Sequence, residues 1–375
     1  MKIRKKLFTY KVAEAKQVLD SGLQLDSITI AYETIGVLNE TGDNAILICH
    51  AFSGDSHVAG FYEEDSNEEN PGWWEFMVGP GKGIDTDKYF VICCNILGSC
   101  MGSTGPSSIN PATDKPYGLD FPMVTIGDMV HAQKEVLDHL GIKCLHSVIG
   151  GSVGGMQVLE WCVRYPAMIK SAIPIATTMR HSALAIAFNE VARQAIMVDP
   201  QWNKGDYYQQ HAPDLGLSVA RMIGHVTYLS DEAMRRKFGR KQQNNKDFSF
   251  NFEANFQVES YLRYQGSKFA ARFDANSVLY ISKAADYFDL ADDVNTQESL
   301  QDLQGNHLKF LVISFTSDWL YPTYQAKELV KALKRTGQDV SFCEIEADCG
   351  HDAFLIQDSR LSNLLGGFLD GIEST

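Results

Sequence analysis

Gly150, Ser152 and Gly154 lie in the stretch VIGGSVGGMQVLEW and satisfy the pattern G-x-S-x-G. An apolar run, CLHSVIG, precedes the serine, and a helix-like run, VGGMQVLEWCVRYP, follows it. This context predicts a strand-to-helix turn that leaves room for little but glycine around the serine. The hydroxyl is then held out at the tip, with the NH groups of the helix N-terminus behind it. Such a serine can attack a carbonyl carbon. The alternative is a glycine-rich turn whose serine only caps the helix. A phosphate loop is disfavoured because no Gly-Lys-Ser/Thr follows.

A serine at its ordinary pKa is a weak nucleophile and needs a base, which in turn needs an orienting acid. Asp318 stands where KFLVISFTSDWLYP runs off a strand, and His351 where FCEIEADCGHDAFL does the same. The order Ser, Asp, His fits the hydrolase-type triad, and strand C-terminal ends are where the sites of parallel sheets gather. Of the other histidines, His131, His139 and His146 read as surface or strand residues, and His307 precedes a strand in a polar segment. An oxyanion needs two NH donors: Val153, next after the serine, and a residue of the loop ILICHAFSGDSH, for which Phe52 is chosen. The glycine-rich stretches GPGKG (79 to 83) and GSCMGSTG (98 to 105) read as tight loops near the mouth of the site.

The elements that must hold these groups follow from periodicity. Short apolar runs at 44 to 50, 89 to 98, 146 to 150, 171 to 177, 309 to 318 and 340 to 351 alternate with helical patterns such as 125 to 142 and 324 to 337. Runs apolar on both faces and separated by helices predict an α/β architecture with a mostly parallel sheet covered on each side. Between 178 and 297 the pattern becomes longer, more polar and helical. The expectation is therefore a core formed by residues 1–177 and 298–375, with residues 178–297 inserted as a helical lid that narrows access to the serine. RRKFGRKQQNNKDF (235 to 248) reads as a solvated loop.

The chain has 375 residues, 45% hydrophobic and 21% charged, with a formal net charge of -14. That balance is one of a soluble globular protein and argues against a nucleic-acid partner. The basic start, MKIRKKLFTYKVAEAKQVL, lacks the apolar core of a secretory signal, and no run is long enough to span a membrane. A cytoplasmic location is expected. Cys49, Cys93, Cys94, Cys144 and Cys162 lie in apolar segments without zinc-type pairing, so they read as buried thiols, and no metal is expected.

Several longer stretches carry a resemblance: HAFSGDSHVAG, PGWWEFMVGPGKGIDTDKYFVICCNILGSCMGSTGPSSINPATDKPYG, GGSVGGMQVLEW, FNEVARQAI, ARMIGHVTYLS, RFDANSVLY, SDWLYP and GHDAFL. Together, from about residue 28 onward, they are similar to the homoserine O-acetyltransferase family of α/β-hydrolase-fold acyltransferases. The resemblance implies transfer of an acetyl group from acetyl-CoA to L-homoserine in methionine biosynthesis, with no permanently bound cofactor, by a homodimer joined through its lids. It implies the triad Ser152, Asp318 and His351, a substrate-binding arginine at Arg221, a tyrosine at Tyr228 and an acidic residue at Asp352. Seven residues apart, Arg221 and Tyr228 would share one face of a helix. Val153 stands where methionine is commonest in the family, and HAFSG replaces the more usual HALTG. Backbone roles survive such changes, but the choice between acetyl-CoA and succinyl-CoA, and between homoserine and serine, stays open. An esterase or thioesterase, in which water takes the acyl group, is the rival from another class.

Overall fold

The structure is a computed structural model that describes residues 1–15, 18–65, 67–243, 248, 250–291 and 299–372. Its centre is an eight-stranded sheet. In chain order the strands are β1 (Lys6–Lys11), β2 (Ser27–Ile35), β3 (Ala45–Cys49), β4 (Phe90–Cys94), β5 (Leu145–Gly151), β6 (Ser171–Ile175), β7 (Lys309–Phe315) and β8 (Asp339–Ile345). In space they run β8-β7-β6-β5-β3-β4-β2-β1. The six from β8 to β4 are parallel, and β2 and β1 add an antiparallel edge. The periodicity argument found the parallel strands but passed over β1 and β2, whose polar and charged positions interrupt the apolar runs.

The parallel strands are buried on both faces because both are covered. Successive strand residues point to opposite faces, and the core divides accordingly. Leu47, Cys49, Ile92, Cys94 and Val148 join one apolar cluster, whereas Ile46, Ile48, Val91, Cys93 and Ile149 join the other. The first cluster is closed by α1 (Ile126–His139) and α2 (Val153–Arg164), with Met129, Val136, Met156 and Trp161 inside it. Leu361, Leu365 and Leu369 from the C-terminal helix, Ser359–Asp370, together with Trp74 and Phe354, close the second. The eight cysteines carry free thiols. Among the described residues no helix is long and apolar enough to cross a membrane.

Among the described residues, five α-helices lie between β6 and β7: α3 (Ala183–Met197), α4 (Asp214–Tyr228), α5 (Asp231–Lys237), α6 (Gln257–Ala270) and α7 (Ala275–Tyr287). They pack as α3 on α4, α4 on α6 and α3 on α7. The expected solvated loop at 235 to 248 is corrected in its first part. Arg235, Arg236 and Lys237 end α5, where cations suit the negative helix end, and Arg236 pairs with Asp348 of the sheet domain. Residues 244–247 and 249 of that stretch, and the expected boundary at 297 and 298, lie outside the described residues.

Candidate active site

Ser152 sits between β5 and α2 with φ 59° and ψ -125°, a backbone conformation that side-chain-bearing residues rarely adopt. The turn is held from both sides: the Ser152 NH donates to the Ile175 carbonyl at 3.0 Å, and Thr177 Oγ1 donates to the Ser152 carbonyl at 2.8 Å. The glycines answer to space. A Cβ on Gly154 would lie 2.1 Å from the Cys49 carbonyl oxygen, and one on Gly150 2.4 Å from the Gly154 oxygen, so α2 approaches β3 only because both lack one.

Beyond the C-terminal ends of β7 and β8, two turns bring the other groups in. Ser152 Oγ lies 2.8 Å from His351 Nε2, and His351 Nδ1 lies 2.7 Å from Asp318 Oδ2. The second carboxylate oxygen, Oδ1, accepts from the NH groups of Leu320 at 3.0 Å and Tyr321 at 2.9 Å. All three side chains are buried. Burial pushes the His351 pKa down, but the charge and hydrogen bond of Asp318, with a smaller contribution from Asp352, more than offset it, and the net shift is upward. A serine hydroxyl donating to such an imidazole is equipped for nucleophilic attack.

A cavity opens on Ser152. Phe52 and Val153 line it, and among the described residues neither of their NH groups has an acceptor. The Phe52 loop is set by its neighbours. His50 Nδ1 donates to the Ala51 carbonyl at 2.8 Å, its Nε2 accepts from the Ile96 NH at 3.2 Å, and Gln157 Nε2 donates to the His50 carbonyl at 3.2 Å. Two free NH groups beside a nucleophile suit a developing oxyanion.

The opposite wall belongs to the helices between β6 and β7. Arg221 and Tyr228, both on α4, line the cavity, with the guanidinium 5.6 Å from the Tyr228 ring centre and 4.8 Å from that of Phe269. Arg221 donates to Ser53 Oγ at 3.2 Å and has no carboxylate within 4 Å among the described residues. Burial raises the Tyr228 pKa, so it stays a phenol. Asp352 does not line the cavity, although its charge acts on His351, Tyr228 and Tyr261. Neither glycine-rich loop expected near the mouth lines it either: Gly83 packs on Ser362 of the C-terminal helix, and Gly102 on Ala31 of β2. Sequence reasoning missed His181 and Tyr321, which line the cavity beside Ser152.

A mostly parallel sheet with helices on both faces and a serine on a strained strand-to-helix turn, backed by a histidine and an aspartate, defines an α/β hydrolase. In agreement, residues 44–358 match the family model described as alpha/beta hydrolase fold. More narrowly, the chain belongs to the homoserine O-acetyltransferase family. It is 66% identical over 370 residues to the homoserine O-acetyltransferase of Desulfotalea psychrophila, an alignment covering 99% of this chain and 95% of that one. The crystal structure of homoserine O-acetyltransferase from Bacillus anthracis superposes with a TM-score of 0.90 at 29% identity, covering 100% of both chains. That of esterase E22 superposes with a TM-score of 0.86 at 30% identity, covering 98% of this chain and 100% of its own.

Proposed function

We propose that this protein transfers an acetyl group from acetyl-CoA to the hydroxyl of L-homoserine through an acyl-Ser152 intermediate. The observation that carries the reading is the Ser152, His351 and Asp318 chain, at 2.8 and 2.7 Å, opening into a cavity whose far wall bears Arg221. His351 takes the Ser152 proton as the oxygen attacks the thioester, the oxyanion rests on the NH groups of Phe52 and Val153, and the thiol leaves with that proton. Homoserine then enters, His351 accepts the proton of its hydroxyl as that oxygen attacks the acyl-serine, and the proton passes to Ser152 Oγ as its bond to the acyl carbon breaks. Residues 178–297 act as the lid that screens the acyl-serine from water, and residues 1–177 and 298–375 form the core. The lid also joins two copies, since Leu215, Val219 and Val226 expose one apolar face of α4. The setting is cytoplasmic, with no metal or resident cofactor.

Purified enzyme is assayed with acetyl-CoA and succinyl-CoA crossed against L-homoserine and L-serine, and with each donor alone. Acetyl transfer to homoserine is expected to dominate, with release of coenzyme A slow when no acceptor is present. Equal release with and without an amino acid would instead favour an ester or thioester hydrolase, the reading to which the likeness to esterase E22 lends weight.

The acceptor carries a carboxylate and an ammonium. Arg221 is the cation for the first, Tyr228 orients it, and Asp352 supplies negative charge for the second. A guanidinium grips a carboxylate through two parallel hydrogen bonds, which an ammonium cannot reproduce. Arg221→Lys is therefore expected to raise the homoserine KM by about an order of magnitude, as for a weakened charge-assisted pair. Acylation of Ser152, followed by stopped flow without acceptor, should be nearly unchanged. If acylation slows as much as transfer, Arg221 serves the donor or the lid instead.

A further inference from the structure

The loop that carries Phe52 is tied to the sheet at both ends and to something else at its corner. His50 is held by Ile96 and Gln157, as above. Past the corner, Trp73 Nε1 donates to the Asp55 carbonyl at 3.0 Å, and Ser56 Oγ at 3.1 Å and His57 Nδ1 at 2.9 Å meet the buried carboxylate of Glu33 on β2. Between these anchors Ala51, Phe52, Ser53 and Gly54 make a four-residue turn, closed by the Gly54 NH on the Ala51 carbonyl at 3.0 Å. Phe52 and Ser53 are its central residues, and neither has a positive φ. In such a turn the central NH groups lie outside the closing bond, which leaves the Phe52 NH free but the corner unsupported from within.

The support comes from the helices between β6 and β7. Arg272 Nη2 donates to the Ser53 carbonyl at 3.2 Å, and Arg221 Nη1 donates to Ser53 Oγ at 3.2 Å. Among the described residues these are the only hydrogen bonds that Phe52 and Ser53 make. Arg221 is on α4, whereas Arg272 lies in the turn from α6 to α7, and both guanidiniums pack on the Phe269 ring, 4.8 and 5.3 Å from its centre. That turn is itself well anchored. Asp274, two residues on, accepts from the Tyr207 and Tyr208 hydroxyls at 2.5 and 3.2 Å, and its NH donates to Cys100 Sγ at 3.3 Å. Arg221 faces the cavity on Ser152, but Arg272 does not line it, so Arg272 reaches the reaction through Ser53.

We propose that Arg272 is a positioning residue for the oxyanion hole: by holding the Ser53 carbonyl it fixes the corner of the turn and, with it, the aim of the Phe52 NH. The inference rests on the acyl-Ser152 reading and on the oxyanion role of Phe52. A charged donor on a carbonyl is stronger than a neutral one, so Arg272 suits the task. Without it the corner is free to tilt on its stem, and a shift of about 1 Å in a group aimed at the reacting atoms costs on the order of a hundredfold in rate.

The test compares full-length wild type with Arg272→Met, which keeps an unbranched stem on the Phe269 ring but has no donor. Acylation of Ser152 by acetyl-CoA is followed by rapid quench without acceptor. Inhibition by ethylboronic acid is measured beside it: Ser152 Oγ adds to boron as its proton passes to His351, leaving a tetrahedral boronate with an oxygen where the oxyanion would stand. Arg272→Met should acylate about ten- to a hundredfold more slowly, with the acetyl-CoA KM within about twofold, and its boronate Ki should rise in parallel. Arg272→Lys, whose ammonium can also donate to a carbonyl, should recover most of both. If Arg272→Met does not fold, Arg272→Leu takes its place. A slower rate with the boronate Ki unchanged, or one carried by a raised acetyl-CoA KM, overturns the proposal and leaves Arg272 a packing or donor-binding residue. Unchanged rate and Ki, or a lysine variant as impaired as the methionine one, overturns it as well. Wild-type enzyme that neither acylates on Ser152 nor binds the boronic acid overturns the acyl-serine reading first, and the positioning role with it.

Discussion

Ser152→Ala is expected to abolish transfer, lowering the rate on the order of a million-fold, as losing the nucleophile of a serine triad does. The fold should survive. Alanine fits the φ of 59° no worse than serine does, and the backbone bonds that hold the turn, from the Ser152 NH to Ile175 and from Thr177 to the Ser152 carbonyl, do not involve the hydroxyl. Only the bond to His351 Nε2 at 2.8 Å is lost, beside a cavity that water can enter, so the Tm should move by less than about 4 °C. Intact-mass spectra after mixing with acetyl-CoA should show one added acetyl group on the wild-type chain and none on the variant. A variant that still acylates, or transfers within tenfold of wild type, would mean that the chemistry runs through another group.

How far the sequence foretold this site depended on whether position along the chain carried the signal. Ser152, Asp318 and His351 each follow an apolar run, and in a parallel sheet the strand ends converge, so three sites far apart in sequence could be assigned to one place. The glycines around Ser152 were legible for the same local reason. The antiparallel edge was not: the edge strand β1 carries Lys6 and Lys11 at exposed positions, and the basic start was weighed only against a secretory signal. The hydrogen bonds of His181 were less legible still. His181 is 105 residues from Asp286 and 140 from Tyr321, and no spacing rule links a loop, a helix end and a turn so far apart. Asp352, which the resemblance suggested, begins the short turn His351–Leu355 together with His351; its charge acts on His351 although its side chain does not line the cavity.

Asp318→Asn should be nearly as damaging as loss of the serine, and the geometry says why. Oδ1 of Asp318 receives two backbone NH groups, from Leu320 and Tyr321, so an amide at this position must put its carbonyl oxygen there. Its NH2 is then forced toward His351 Nδ1, which must accept, and the imidazole hydrogen moves to Nε2. In that tautomer His351 faces Ser152 with a donor and can no longer take its proton. Acylation should fall by about 10⁴-fold with the acetyl-CoA KM little changed, since no contact to the donor is touched. The pH profile gives an independent reading. In the wild type the charge of Asp318 is the main influence holding the His351 pKa above its ordinary 6.5, against burial. The base is competent only when neutral, so kcat/KM should rise with pH through a midpoint above 6.5. Without the carboxylate, burial prevails and that midpoint should move down. A variant that keeps the wild-type midpoint, or loses activity only through a raised KM, would show that Asp318 does not act on His351 during the reaction.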